Sequence, residues 1–115
     1  MERLKAIHVV YAKWCAHCVP TTVEPLKRRA EELGVPCLLH DIDTDEVKIA
    51  DDLVKKYGDW TSDYLVPQVF LEFEKGRIVH VLTGNPQGVV LTQNAVEGLL
   101  TGGPLSVGDP GAAPK

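Results

Sequence analysis

Residues 6–18 read AIHVVYAKWCAHC, an apolar, β-branched run that leads into two cysteines with two residues between them. The run predicts a strand and the pattern after it predicts a helix, so the cysteines lie at a strand-to-helix junction. This arrangement is typical of a dithiol that cycles between thiol and disulfide. A helix N-terminus favours a thiolate and lowers a cysteine pKa. We therefore predict that Cys15 is the nucleophile and that Cys18 resolves the mixed disulfide formed on Cys15.

The alternative is a structural role for the two cysteines, as unreactive buried side chains or as half of a zinc site. A structural zinc needs four ligands at suitable spacing, and the third cysteine, Cys37, stands alone on an apolar stretch. We interpret Cys37 as a small buried apolar side chain and predict no metal site. His8, His40 and His80 lie on predicted strands without a carboxylate or cysteine at ligand spacing, so we assign them no metal-binding or acid–base role.

Length, composition and charge indicate one compact domain. The chain has 115 residues, of which 44% are hydrophobic and 24% charged, as in soluble globular proteins. The net charge of −4 argues against a nucleic-acid partner. We find no apolar signal segment and no apolar run of membrane-spanning length, and three cysteines make a poor disulfide framework. We therefore expect a cytoplasmic monomer without a membrane partner.

Hydrophobic periodicity predicts an α/β chain with the element order β-α-β-α-β-β-α. The predicted strands are residues 6–11, 35–40, 65–73 and 78–82, and the predicted helices are 19–33, 47–57 and 91–100. The first two strands are joined by a helix and should be parallel, whereas the last two should form an antiparallel hairpin. The result is a mixed four-stranded sheet flanked by helices, in a domain of residues 1–101. Residues 102–115 form a Gly/Pro/Ala-rich tail that we expect to be mobile.

Local signals refine the ends of the helices. Gly34 should end the first helix as a left-handed residue. Pro25 lies deeper in that helix than its first turn, so we expect it to remove a backbone hydrogen bond and kink the helix. Asp43 and Glu46 have the spacing of a capping box at the start of the second helix, and Gly58 should end it.

The Trp-Cys-Ala-His-Cys motif (residues 14–18), the dipeptide Val66-Pro67 before a strand, and Gly84 after the last strand together resemble the thioredoxin-fold superfamily. The resemblance covers roughly residues 5–100 in element order. It implies a thioredoxin-like fold and a thiol–disulfide oxidoreductase without a bound cofactor. In the family the proline faces the dithiol, follows a cis peptide bond, and the residue before it pairs with substrate like an added strand. The resemblance thus implies substrate binding by Val66, Pro67 and Gly84.

Individual motifs are similar to different branches of that superfamily. The short N-terminus and the stretch VPQVF (residues 66–70) resemble glutaredoxins, whereas Trp14 resembles thioredoxins. His17 is similar to the residue before the second cysteine in protein disulfide isomerase and the periplasmic disulfide oxidants. After the last strand, residues 83–86 read TGNP instead of the Gly-Gly-x-Asp of glutaredoxins, so the resemblance does not extend to glutathione binding.

Three features beside the dithiol bear on its chemistry. His17 can stabilise the Cys15 thiolate, which makes the disulfide a better oxidant. Trp14 can shield the dithiol and contact substrate, or serve as a partly buried anchor. The loop of residues 59–64 carries Trp60 and Tyr64, which can recognise a partner or cover the core.

The leading hypothesis from the sequence is an enzyme that exchanges disulfides with protein substrates. Its partners are disulfide-bearing proteins and an unidentified upstream reductase or small thiol. Two alternatives stay open, a redox-sensing adaptor and a module that holds Cu(I), which favours soft thiolate ligands.

Overall fold

The computed structural model describes residues 3–13, 15, 19–61, 65–84 and 89–101, without the side chains of Val19 and Val89. The predictions for Trp14, His17, Cys18 and Tyr64, and for the tail of residues 102–115, lie outside the described residues.

Four strands form one mixed sheet in the order β2-β1-β3-β4. The strands are β1 (Leu4–Tyr11), β2 (Cys37–Asp41), β3 (Gln68–Phe73) and β4 (Ile78–Thr83). The central strand β1 runs parallel to β2 and antiparallel to β3, and β3 runs antiparallel to β4. This confirms the predicted α/β class, the parallel first pair and the antiparallel hairpin.

Helices cover both faces of the sheet. A π-helical segment, Val19–Val23, leads directly into α1 (Glu24–Leu33), and α2 (Val47–Tyr57) and α3 (Val89–Thr101) follow later in the chain. Side chains alternate across each strand, so Ile7 and Val9 of β1 pack with α1 and α3, whereas Val10 packs on the other face with α2. In the described part of the chain, no helix is both long and apolar enough to cross a membrane.

A π-helical segment that the sequence does not predict precedes Pro25. Pro25 is the second residue of α1, which directly follows that segment. Proline has no N–H to donate, and its ring clashes with the carbonyl of the residue four positions earlier in an α-helix. The wider π-helical turn before Pro25 accommodates that conflict by a change of hydrogen-bonding register. Gly34 ends α1 as predicted, with a left-handed φ of 73°.

The predicted capping box at the start of α2 is wrong. The N-cap of α2 is Glu46, and no side chain caps it. The hydroxyl of Thr44 instead accepts a hydrogen bond from the Glu46 N–H (3.2 Å) and donates one to the Asp41 carbonyl (2.8 Å). The Glu46 carboxylate turns towards the sheet, where it accepts a hydrogen bond from His40 Nδ1 at 2.9 Å. Gly58 follows the last residue of α2 as predicted, and its N–H bonds to the Val54 carbonyl.

Candidate active site at one end of the sheet

Strand directions bring the predicted site residues to one end of the sheet. Cys15 follows the end of β1, and Val66 and Pro67 precede the start of β3, which is antiparallel to β1. Gly84 follows the end of β4, which is antiparallel to β3. The end of β1, the start of β3 and the end of β4 therefore lie at the same end of the sheet, although they are distant in the sequence.

Cys15 lies in a tight turn that leaves β1. Its N–H donates to the Ala12 carbonyl at 3.1 Å, and its sulfur is disulfide-bonded. Cys15 belongs to the buried cluster that contains Val10, Val66 and Phe70. The residue is only 8% exposed in this disulfide-bonded state. The packing that buries Cys15 also places it in one cluster with Val66, the residue before the proline.

The Val66–Pro67 peptide bond is cis, as predicted from the resemblance. The Gly84 N–H donates to the Pro67 carbonyl at 2.6 Å, which extends the β3–β4 pairing by one step beyond Gln68 and Thr83. A Cβ at position 84 would collide with Pro67 Cδ and would lie 3.0 Å from Cγ and 3.2 Å from the ring nitrogen. Glycine is required at position 84 because the two backbones approach so closely.

Gln68 is a residue of this site that the sequence analysis missed. Its side chain is fully buried, and its Oε1 accepts a hydrogen bond from the Asp59 N–H at 3.1 Å. Its Nε2 donates to the carbonyls of Asp59 (3.1 Å) and Leu65 (2.8 Å). One amide thus fastens both ends of the loop that precedes Pro67. The available signal was a polar residue at the start of a mostly apolar strand.

Neighbouring side chains reinforce this attachment of the loop. A Cβ on Gly58 would lie 2.5 Å from Gln68 Oε1 and 2.8 Å from Phe70 Cζ, so only glycine leaves room for the buried amide. Asp59 also accepts a hydrogen bond from the Thr83 hydroxyl at 2.6 Å, and His80 Nε2 lies 2.7 Å from that hydroxyl. The loop is therefore bound to β3 and to the end of β4.

Two further candidate residues, Cys37 and Trp60, have different surroundings. Cys37 is a free thiol on β2 that is only partly buried, not buried as predicted. Desolvation nevertheless raises its pKa to about 11, which agrees with an unreactive side chain. Trp60 is 45% exposed, and the Lys55 ammonium lies 4.5 Å from the centre of its ring. Within the described residues, no group of three or more His, Cys, Asp or Glu side chains is placed to hold a metal ion.

Comparison of the chain with models of known families, with curated proteins and with solved structures finds no match.

Proposed function

We propose that the protein is a thiol–disulfide oxidoreductase of thioredoxin-like fold that acts on protein disulfides. The observation that carries this proposal is the convergence of Cys15, Val66 and Pro67 at one end of the sheet, with Cys15 and Val66 in one buried cluster. A reactive dithiol needs a substrate held beside it. The backbone before Pro67 supplies such a surface through strand addition.

The reaction proceeds as two exchanges. The Cys15 thiolate attacks one sulfur of a substrate disulfide, forms a mixed disulfide with it and releases the other sulfur as a thiolate, which takes up a proton. The Cys18 thiolate then attacks Cys15, which releases the second substrate sulfur and leaves a disulfide between Cys15 and Cys18. Two electrons pass to the substrate. An upstream reductase or small thiol returns them, and the same steps in reverse oxidise a dithiol substrate.

The hydrogen bonds around Gln68 support substrate docking at Val66. Because the amide of Gln68 holds both Asp59 and Leu65, the chain that enters Val66 has little freedom to move. The contact between Gly84 and Pro67 restrains the chain on the C-terminal side of Val66. A preorganised backbone loses less entropy when a peptide pairs with it, which favours binding without side-chain specificity.

Reduction of insulin by dithiothreitol tests the proposal. The native chain should accelerate precipitation of the insulin B chain, and Cys15→Ser should reduce the rate to that of dithiothreitol alone. Cys37→Ser is the matched control and should retain the rate, since the Cys37 thiol is held protonated by burial. A native chain without any acceleration would contradict the enzyme and favour the adaptor or the Cu(I) module.

Trapping of intermediates tests the separate roles of the two cysteines. Cys18→Ser should accumulate mixed disulfides on Cys15 because the resolving thiol is missing, and Cys15→Ser should accumulate none. Equal trapping by both variants would contradict a mechanism with a nucleophile and a resolving thiol.

A further inference from the structure

Two buried histidines form a hydrogen-bonded chain between two carboxylates. His8 of β1 and His40 of β2 are 8% and 4% exposed. His8 Nδ1 lies 2.9 Å from His40 Nε2, with the ring centroids 5.1 Å apart and the ring planes inclined by only 16°. The outer nitrogens each meet a carboxylate: His8 Nε2 lies 2.8 Å from Glu72 Oε1, and His40 Nδ1 lies 2.9 Å from Glu46 Oε1.

The number of hydrogen bonds determines the number of protons in this chain. Three bonds join Glu72, His8, His40 and Glu46, and each bond needs one proton. Ionised carboxylates are acceptors only, so all three protons must be on the ring nitrogens. Two neutral imidazoles carry only two protons. The geometry therefore requires one proton more than the neutral pair has, and the pair then carries a single positive charge between two negative ones.

We propose that His8 and His40 form a proton-sensitive clamp, which is closed when the pair holds three protons and opens when acid adds the fourth. With four protons, both inner nitrogens are donors, and His8 Nδ1 and His40 Nε2 can no longer bond to each other. Two adjacent imidazolium ions also repel one another in a buried site.

The clamp adds side-chain hydrogen bonds to strands that are already paired through their backbones, and it links them to α2. Its four members come from β1, β2, β3 and the N-cap of α2. Closed, it holds the edge strand β2 and the start of α2 against the centre of the sheet. Opening it breaks the His8–His40 hydrogen bond, which links the side chains of β1 and β2.

Among the described residues, Lys5, Asp41 and His80 are other charged or titratable groups on the strands around the pair. Lys5 Nζ lies 3.7 Å from Glu72 Oε2 and is mostly exposed. On β2, Asp41 follows His40, and its carboxylate is 3.7 Å from Lys13 Nζ. On β4, His80 packs against Phe70 with ring centroids 5.3 Å apart.

The direction of two pKa shifts agrees with opening in acid. Burial lowers the pKa of His40, and the neighbouring His8 lowers it further, against the hydrogen bond to Glu46, which raises it. Where a histidine pKa is lowered by folding, the unfolded chain binds a proton that the native chain does not bind. The free energy of unfolding therefore falls as the pH drops below about 6.5. The hydrogen bond from His8 lowers the pKa of Glu72, so this carboxylate keeps its charge in the same range.

Nitrogen-15 NMR of the histidine rings in the native chain tests the proton count directly. At pH 7, three of the four ring nitrogens of His8 and His40 should be protonated, and the fourth proton should bind below the value of about 6.5 for a free imidazole. Two protonated nitrogens at pH 7, the neutral count, would overturn the proposal. So would a fourth proton that binds at or above that value.

Glu72→Gln gives a matched test of the extra proton. The glutamine amide can donate to His8 Nε2, so all three hydrogen bonds can form with only two protons on the rings. The count at pH 7 should therefore fall from three to two, whereas Glu74→Gln, at an exposed carboxylate of the following turn, should leave three. An unchanged number of ring protons in Glu72→Gln would show that the Glu72 carboxylate does not stabilise the extra proton on the rings. That result would contradict the proposal.

His40→Gln tests the acid sensitivity of the fold. Glutamine can donate to Glu46 and accept from His8, but it cannot take the fourth proton. Between pH 6.5 and pH 5, the unfolding constant measured in urea should rise with acid in the native chain by up to tenfold per pH unit more than in His40→Gln. His80→Gln should follow the native chain. Parallel pH profiles for the native chain and His40→Gln would overturn the clamp.

Discussion

Cys15 and Cys37 occupy different environments, and the difference has a chemical consequence. Cys37 lies on the edge strand β2, where burial raises its pKa to about 11 against a smaller opposing effect of Lys27. At pH 7 such a thiol is ionised to only roughly one part in 10⁴, and the thiolate is the reactive form. Cys15 instead lies in the turn after β1, next to the backbone that precedes Pro67.

Alkylation of the reduced protein should therefore be selective. Limiting iodoacetamide at pH 7 should modify Cys15 and leave Cys37 unmodified, as measured by mass mapping of peptides. Denatured protein provides the control, in which Cys37 should react as an ordinary thiol. Modification of Cys37 before Cys15 in the native state would contradict both assignments.

His17 should tune the redox potential of the dithiol. Stabilisation of the Cys15 thiolate favours the reduced form, so we expect a potential between about −270 and −180 mV. His17→Pro should shift the potential to a more negative value in a titration against glutathione. His80→Gln is the control and should leave it unchanged. An unchanged potential in His17→Pro would show that the side chain has no electronic role.

At the scale of elements, the connections that enter and leave β3 and β4 position the candidate site. Gly84 and Pro67 extend the β3–β4 pairing, and Gln68 fastens the loop that begins at Asp59. Each of these features places backbone rather than a reactive side chain. Substitutions here should therefore affect both stability and substrate affinity.

Gly84→Ala should destabilise the fold because its Cβ would press on the Pro67 ring, which cannot rotate away. Overpacking of this kind costs about 1–3 kcal/mol, measurable by urea unfolding. Gly98→Ala is a matched control, since nothing lies within 4 Å of its added Cβ in the interior of α3. That variant should gain about 0.5–1 kcal/mol because alanine favours the helix. Equal effects of the two substitutions would contradict the close approach at position 84.

Gln68→Leu should loosen the loop before Pro67. It removes the partners of three backbone groups, and a buried polar group without a partner costs about 1–3 kcal/mol. The KM for insulin should rise more than kcat falls, because substrate docking is affected before chemistry. Gln93→Leu, at an exposed position of α3, should change stability by no more than about 0.5 kcal/mol. Unchanged stability and KM in Gln68→Leu would remove its positioning role.

At the scale of the whole molecule, the two faces of the sheet are packed with different kinds of side chain. The face covered by α1 and α3 is an apolar cluster. The α2 face combines an apolar cluster near Cys15 with the buried polar chain of His8 and His40. The end of α3 is attached to α1, because Arg29 Nη1 donates to the Leu100 carbonyl at 2.8 Å.

A chain that ends at Thr101 should be as stable as the full chain. Residues 102–115 are rich in Gly, Pro and Ala, a composition that buries little apolar surface. The unfolding free energy in urea should change by no more than about 0.5 kcal/mol. A loss well above that value would show that the tail packs on the domain and that the domain boundary at residue 101 is wrong.

The sequence alone was sufficient for the element order, the hairpin and the end of α1 at Gly34. The spacing of hydrophobic residues and the conformational freedom of glycine determine helices, strands and helix ends over a few residues, so a short stretch of sequence is enough to predict them. The cis bond was predicted from a short motif and its resemblance to a family. The same local reading misplaced the cap of α2, because Glu46 bonds to His40 in preference to the backbone of its own helix.

Only the tertiary structure determined the partners of Gln68, His8 and His40. His8 has no carboxylate near it in the sequence, yet the pairing of β1 with β3 brings Glu72 to within 2.8 Å of its ring. The parallel register of β1 and β2 brings the two histidines together in the same way. Such contacts depend on strand order and register, which emerge from packing of the whole chain, because a shift of one residue would turn each side chain to the opposite face.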